Sequence, residues 1–243
     1  MAEKVCLIAG AGIGLGSGLA RAFAKEGLTV ALLRRPRNEA ELAPLVEDIE
    51  AAGGRAQAFG VDVRDEEAVI ALFQQIERDI GPIEVCIFNI GANVRFPIAE
   101  TTTRVFRKVW EMATFAGFLV GREAARVMQP RSSGTILFTG ATASIRGGDG
   151  FAAFASAKHG LRALAQSMAR ELAPKGIHVA HVVVDGAIDG AFARGYFPDI
   201  EEKVAKAEIL SPDDMAQSYV ALWKQPKSAW TQELDLRPWT ETF

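Results

Sequence analysis

Cysteine is nearly absent from this chain: Cys6 and Cys86 are the two thiols in 243 residues. They stand far apart in apolar runs, which excludes a disulfide framework and leaves buried free thiols in a reducing compartment as the expectation. Histidine is scarce as well. His178 and His181 lie in one apolar run without a second ligand pair nearby, so no metal site is expected. Tyrosine occurs twice, which leaves few phenols for proton chemistry. Neither sign of charge dominates, with 27 Lys and Arg against 30 Asp and Glu and a formal charge of −3. Nothing in that balance favours nucleic acid or an anionic membrane as partner. No charge-free stretch has membrane-spanning length. The apolar start is interrupted by Glu3 and turns glycine-rich, unlike a secretion signal, so a cytoplasmic protein is expected.

What the sequence does contain is alternation. Apolar β-type runs at Val5–Ala9, Thr29–Leu33, Ala56–Val61, Val85–Asn89, Gly134–Thr139, His178–Val184 and Glu233–Leu236 read as seven strands. Between them, apolar residues recur at helical spacing, as in Val69, Leu72, Phe73 and Ile76. Several strands are apolar throughout, so both faces need cover. The pattern predicts one Rossmann-type domain over residues 1–243: a doubly wound, seven-stranded parallel sheet with helices on both faces. The least regular segment, 185–211, carries Gly186, Gly190, Gly195 and Pro198. It reads either as a flap over a substrate or as a long surface connection.

The first strand runs into Gly10-Ala11-Gly12-Ile13-Gly14-Leu15-Gly16, and a helix over Ser17–Glu26 follows. Glycines in that place let the backbone turn sharply and approach a pyrophosphate, toward which the helix N-terminus points its free N–H groups. A turn that merely packs the helix on the sheet is the alternative. Five basic residues fall between Arg21 and Arg37, the one local excess of charge. Among them Arg34 and Arg35 stand at the end of the second strand, where a carboxylate would select NAD by binding the ribose diol. Guanidinium groups suit a 2′-phosphate instead, so NADP is expected over NAD. Asp62 and Val63, after the third strand, are candidates for the adenine, although Asp62 equally suits a turn or helix cap.

With these residues assembled, the chain resembles the short-chain dehydrogenase/reductase family along nearly its whole length. Gly10, Gly14 and Gly16 fit that family's TGxxxGxG loop, with Ala9 in place of threonine. Asn89-Ile90-Gly91-Ala92 looks like its NNAG motif, Phe154-Ala155-Ser156-Ala157-Lys158 stands in its YxxxK position, and Asp185-Gly186 stands where Pro-Gly is usual. The resemblance implies hydride transfer between a nicotinamide and a small carbonyl or alcohol substrate. It also implies a homodimer or homotetramer, and cofactor contacts at Gly12, Ile13, Asn89, Gly91, Lys158 and Ile188. It further implies a tetrad of asparagine, serine, tyrosine and lysine. Here those positions read Thr114, Ala141, Phe154 and Lys158.

Phe154 keeps a ring but carries no proton. Loss of a general acid costs roughly 10²–10⁴ in rate, and loss of an oxyanion donor about 10²–10³ more. Phe154 and Lys158 share a helix face, whereas Ser156 and His159 point away from it. Candidate replacements are the hydroxyls of Thr139, Thr142 and Ser144, the Lys158 ammonium, and Tyr196 from the irregular segment. The expected function is an NADP-dependent oxidoreductase with a non-standard proton donor. The alternative is a cofactor-binding sensor or structural subunit with impaired catalysis.

Overall fold

Seven strands, all parallel, form one sheet in the order β3-β2-β1-β4-β5-β6-β7. They are β1 (Val5–Ala9), β2 (Thr29–Arg34), β3 (Arg55–Gly60), β4 (Ile83–Phe88), β5 (Thr135–Thr139), β6 (His178–Val184) and β7 (Glu233–Leu236). The computed structural model describes residues 3–242, with Phe192 described by its backbone alone. Each strand lies within two residues of the span its apolar run indicated. The first helix, α1 (Leu15–Lys25), begins two residues earlier than Ser17, because Gly14 takes φ +105° and forms the cap itself.

Strands that are apolar throughout bury both faces. Val5, Leu7 and Ala9 of β1 join one hydrophobic layer, while Cys6 and Ile8 join the other. Cys86 belongs to the first layer, so the two thiols stand on opposite sides of the sheet and remain free. One layer is closed by α3 (Glu66–Asp79), α5 (Ala116–Met128) and α6 (Ala152–Leu172). The other is closed by α1, α2 (Ala43–Ala51) and α9 (Pro212–Trp223). Phe23 of α1 and Phe73 of α3 are among the fully buried anchors, each contributing roughly 2–3 kcal/mol by burial. The α1 helix lies so close to α9 that a side chain on Gly18 would sit 2.5 Å from the Pro212 carbonyl oxygen.

Two features depart from a plain alternation of strand and helix. Between α4 (Thr103–Trp110) and α5, residues Glu111–Phe115 form a π-helical turn. The inserted residue swings Thr114 toward α6, where its hydroxyl donates to the Ala157 carbonyl at 2.7 Å. The irregular segment after β6 is also more ordered than its glycines suggest. It contains two short helices, α7 (Ala191–Tyr196) and α8 (Ile200–Ala205), over a small cluster of Ala193, Ile200 and Ile209. Its ends are tied by a parallel bridge between Ile188 and Leu210. Among the described residues, no helix is long and apolar enough to cross a membrane.

Candidate functional site

The order of the strands reverses between β1 and β4, and a crevice opens there beyond their C-terminal ends, as the topology requires. Its larger part encloses about 780 Å³. A smaller lobe of about 240 Å³, over the ends of β2 and β3, shares Gly10, Gly12, Asn89, Ile90 and Gly91 with it. An extended ligand can therefore run from one lobe into the other.

The glycine turn forms the floor. Gly10 adopts φ +97°, and a side chain there would collide with the Asn89 carbonyl at 2.6 Å. A side chain on Gly16 would lie 2.4 Å from the Gly10 carbonyl oxygen, so the helix start folds directly over the turn. Gly14 faces open space, and Ile13 at the tip is 82% exposed. The Asn89 side chain donates to the Gly10 carbonyl at 3.1 Å, pinning the turn to the end of β4. The result is a cradle of backbone at a helix N-terminus, with open space over Gly14, which is what a diphosphate needs. Gly12, Gly91 and Ile188 line the same lobe.

Arg34 and Arg35 line the smaller lobe with Val61, Val63 and Asn38. The Arg34 guanidinium approaches Gly12, lying 3.7 Å from where a side chain there would begin. Glu41 holds Arg34 by an ion pair of 2.5 Å and also accepts from Asn38. Asp62 does not line either lobe. Its carboxylate accepts from Arg64 Nε at 2.9 Å and Nη2 at 2.5 Å, and these bonds hold it below the usual aspartate range.

At the opposite end Ala141, Thr142, Phe154 and Lys158 meet. Phe154 is 8% exposed and belongs to a small apolar cluster that includes Val109, Ala113 and Ala143. Lys158, one turn further along α6, is buried, and Nζ donates to the carbonyls of Thr139 at 2.8 Å and Ile90 at 3.2 Å. An ammonium carries three donors, so one is left for the cleft. Burial pushes the Lys158 pKa down to about 8. Thr142 donates its single proton to the Asp185 carboxylate at 2.5 Å. Thr114 lies outside the cleft lining, its hydroxyl engaged by Ala157.

The remaining proton carriers are distant or occupied. Tyr196 is 69% exposed on α7, edge-on to Phe197. The other tyrosine, Tyr219, is fully buried and shares a 2.8 Å hydrogen bond with the Thr139 hydroxyl. Ser144 accepts from the Ala141 amide. His159 and Ser156 are exposed and bond back to their own helix. His181 is buried beneath Gly140, its Nδ1 3.0 Å from Glu233, which Arg162 grips with two bonds of 2.6 Å. Burial lowers the His181 pKa to about 4.

Residues that the sequence left unnoticed also line the crevice: Asn38, Asn93, Met112 and Arg146. Arg146 is the informative one, since only a lone arginine before two glycines marks it in the chain.

Known proteins place this architecture. A family model described as short chain dehydrogenase matches residues 4–199. A 3beta-hydroxysteroid dehydrogenase of Mediterraneibacter gnavus is 30% identical over 214 residues, covering 88% of this chain and 76% of that protein. The crystal structure of a short-chain dehydrogenase from Rhodopseudomonas palustris is 52% identical, covers 97% of this chain and 99% of its own, and superposes with a TM-score of 0.83. A mutant actinorhodin polyketide ketoreductase, crystallised with NADPH, is 26% identical with 98% of each chain covered and a TM-score of 0.87. The chain belongs to the short chain dehydrogenase family, whose members found here are oxidoreductases.

Proposed function

We propose that this chain is an NADP-dependent oxidoreductase that interconverts a small carbonyl compound and its alcohol, with a proton route that does not pass through a tyrosine. The observation that carries the reading is Lys158. Its ammonium stands beside the glycine cradle at the ends of β4 and β5, and the ring one turn away is a phenylalanine. The fit to a dinucleotide rests on the glycine cradle at Gly10 to Gly16, open over Gly14, and on Arg34 beside it. The NADPH complex of the related ketoreductase supports the same choice of cofactor.

When bound, the nicotinamide dinucleotide supplies or accepts the hydride. The chain's own residues bind and orient. Backbone amides at the start of α1 would hold the diphosphate, Arg34 and Arg35 would hold the 2′-phosphate, and Ile188 with Gly190 would close the nicotinamide end. Val63 would border the adenine, and Asp62 beside it would contribute through its backbone, its carboxylate being engaged by Arg64. The segment 185–211 acts as the substrate flap. Lys158 holds its proton at Nζ below about pH 8 and, with its third donor toward the cleft, delivers it to the substrate oxygen directly or through water. Thr142 and Thr114 act as positioning groups, because their protons are directed to Asp185 and Ala157.

A second reading, cofactor binding without useful turnover, is favoured by the same two hydroxyls being occupied and by Phe154 and Ala141 lining the cleft. Titration of protein fluorescence with NADPH, followed by a carbonyl panel, separates the two. Binding with turnover that disappears in Lys158→Ala supports the enzyme. Binding with no oxidation across the panel supports the sensor or structural subunit. No binding of either pyridine dinucleotide overturns both.

A further inference from the structure

Beyond the glycine cradle and Lys158, the larger lobe of the crevice contains one more charge. Among the described residues lining that lobe, Arg146 and Lys158 are the charged side chains, and neither an aspartate nor a glutamate joins them. Arg146 follows β5 by seven residues and remains 43% exposed, yet it is not a loose surface arginine. Its Nη2 donates at 3.3 Å to Asp185, which is 1% exposed at the end of β6. Asp185 also accepts the Thr142 proton and lies 3.5 Å from Arg237. A buried carboxylate needs a partner, and Arg237, 17% exposed, is a second cation in that role. Asp185 therefore acts on Arg146 as an anchor, fixing the planar guanidinium at the rim while most of its donors make no hydrogen bond among the described residues.

We infer that Arg146 is a specificity-determining residue that binds the carboxylate of an anionic substrate, an oxo acid or the corresponding hydroxy acid. The inference rests on the oxidoreductase reading above and names its substrate class. Three observations support it. A guanidinium presents paired donors that match a carboxylate's two oxygens. Phe151, Phe154, Ala187 and Ile188 give the same lobe apolar walls, and Lys158 is buried, so Arg146 is the exposed cation among the lobe's described lining residues and suits a single negative charge. The chain's own Glu241 already stands 3.9 Å from Arg146 Nη2, beyond hydrogen-bond reach, as a carboxylate drawn to the same cation. A substrate carboxylate binds the guanidinium from the cleft side, and Glu241, which is not among the cleft's lining residues, competes for the same charge. A phosphate ester presents the same anionic chemistry with more charge and is the alternative source.

The test is calorimetric binding to the NADPH-saturated protein and to the protein alone. The probes are pyruvate, acetoacetate and levulinate, each beside its methyl ester, with dihydroxyacetone phosphate as the phosphate arm. At least one acid is expected to bind about tenfold more tightly than its ester, the value of one charge-assisted hydrogen bond. Arg146→Gln brings that acid to the level of its ester, Arg146→Lys restores part of the difference, and Glu241→Gln strengthens acid binding. Acids that bind no better than their esters, including no binding at all, overturn the assignment, as does a phosphate ester that outbinds every acid. Titration of the same samples with NADPH reads the cofactor half separately. Failure there overturns the oxidoreductase reading, whereas NADPH binding with equal acid and ester affinities overturns only the role of Arg146.

Discussion

Lys158 Nζ donates to the carbonyl oxygen of Thr139 across 2.8 Å, from a helix that faces the strand end directly. The bond ties the cleft's inner cation to the sheet and leaves it out of water, with a pKa lowered to about 8 by burial. In the unfolded chain the same group stays protonated to about 10.5. Between those values unfolding takes up a proton, so rising pH favours the folded state. Stability measured by denaturant between pH 8 and 10 should rise through this group by up to about 3 kcal/mol. In Lys158→Met that contribution should be gone. Reductive turnover should move the other way and fall as pH passes about 8. A stability profile identical in the two proteins would contradict the burial argument.

Placing a proton donor beside Lys158 should raise catalysis. Phe154→Tyr with Ala141→Ser adds a phenol and a hydroxyl where the cleft wall is now apolar. Steady-state kinetics should show kcat higher by about a hundredfold or more. An unchanged rate would mean that proton transfer does not limit this chain.

Cofactor choice should respond to two residues of opposite sign. Arg34→Ala should weaken NADPH by roughly tenfold and leave NADH nearly unaffected. Glu41→Gln frees Arg34 from its 2.5 Å ion pair and should strengthen NADPH binding. Parallel titrations with both dinucleotides check the pair. Equal effects on both would remove Arg34 from the 2′-phosphate.

Gly16→Ala should damage both fold and cofactor binding. The added methyl would lie 2.4 Å from the Gly10 carbonyl oxygen and 2.9 Å from Ala11 Cα, both backbone, so the turn must move. Overpacking of this kind costs about 1–3 kcal/mol. Gly14→Ala faces open space but must hold φ +105°, so its loss should come from backbone strain alone. Thermal melts with and without NADPH separate the two effects.

Acid should be tolerated poorly because of His181. Its folded pKa, about 4, lies below the ordinary 6.5 because the ring is buried. As pH falls from 6.5 to 4 the unfolded chain takes up a proton that the folded one refuses, and stability declines by up to about 3 kcal/mol. His181→Leu should flatten that part of the profile, as read by denaturant titration at successive pH values.

The strands were legible because burial on both faces leaves a run of apolar residues that little else produces, as at Val5–Ala9. The glycine cradle and the meeting of Phe154 with Lys158 were legible for the same kind of reason: local spacing fixes local geometry. The π-helical turn was not, since Glu111–Phe115 carries no periodic mark and its extra residue shows only where Thr114 meets Ala157. Nor was the anchoring of Arg146. Its partner Asp185, and Arg237 on the other side of that carboxylate, are remote in the chain and converge because β5, β6 and β7 end side by side. Asp62 was read as an adenine contact or a turn residue, and the carboxylate's partner, Arg64, lies two positions away.

The bridge between Ile188 and Leu210 has a mechanical corollary. Both roots of the intervening stretch are stitched together, and α7 and α8 share one small core, so the stretch is held as a closed loop like the handle of a bucket. Gly190, whose missing side chain would reach within 3.5 Å of Gly14, puts that handle against the glycine turn, so a side chain at position 190 would rest directly on that turn.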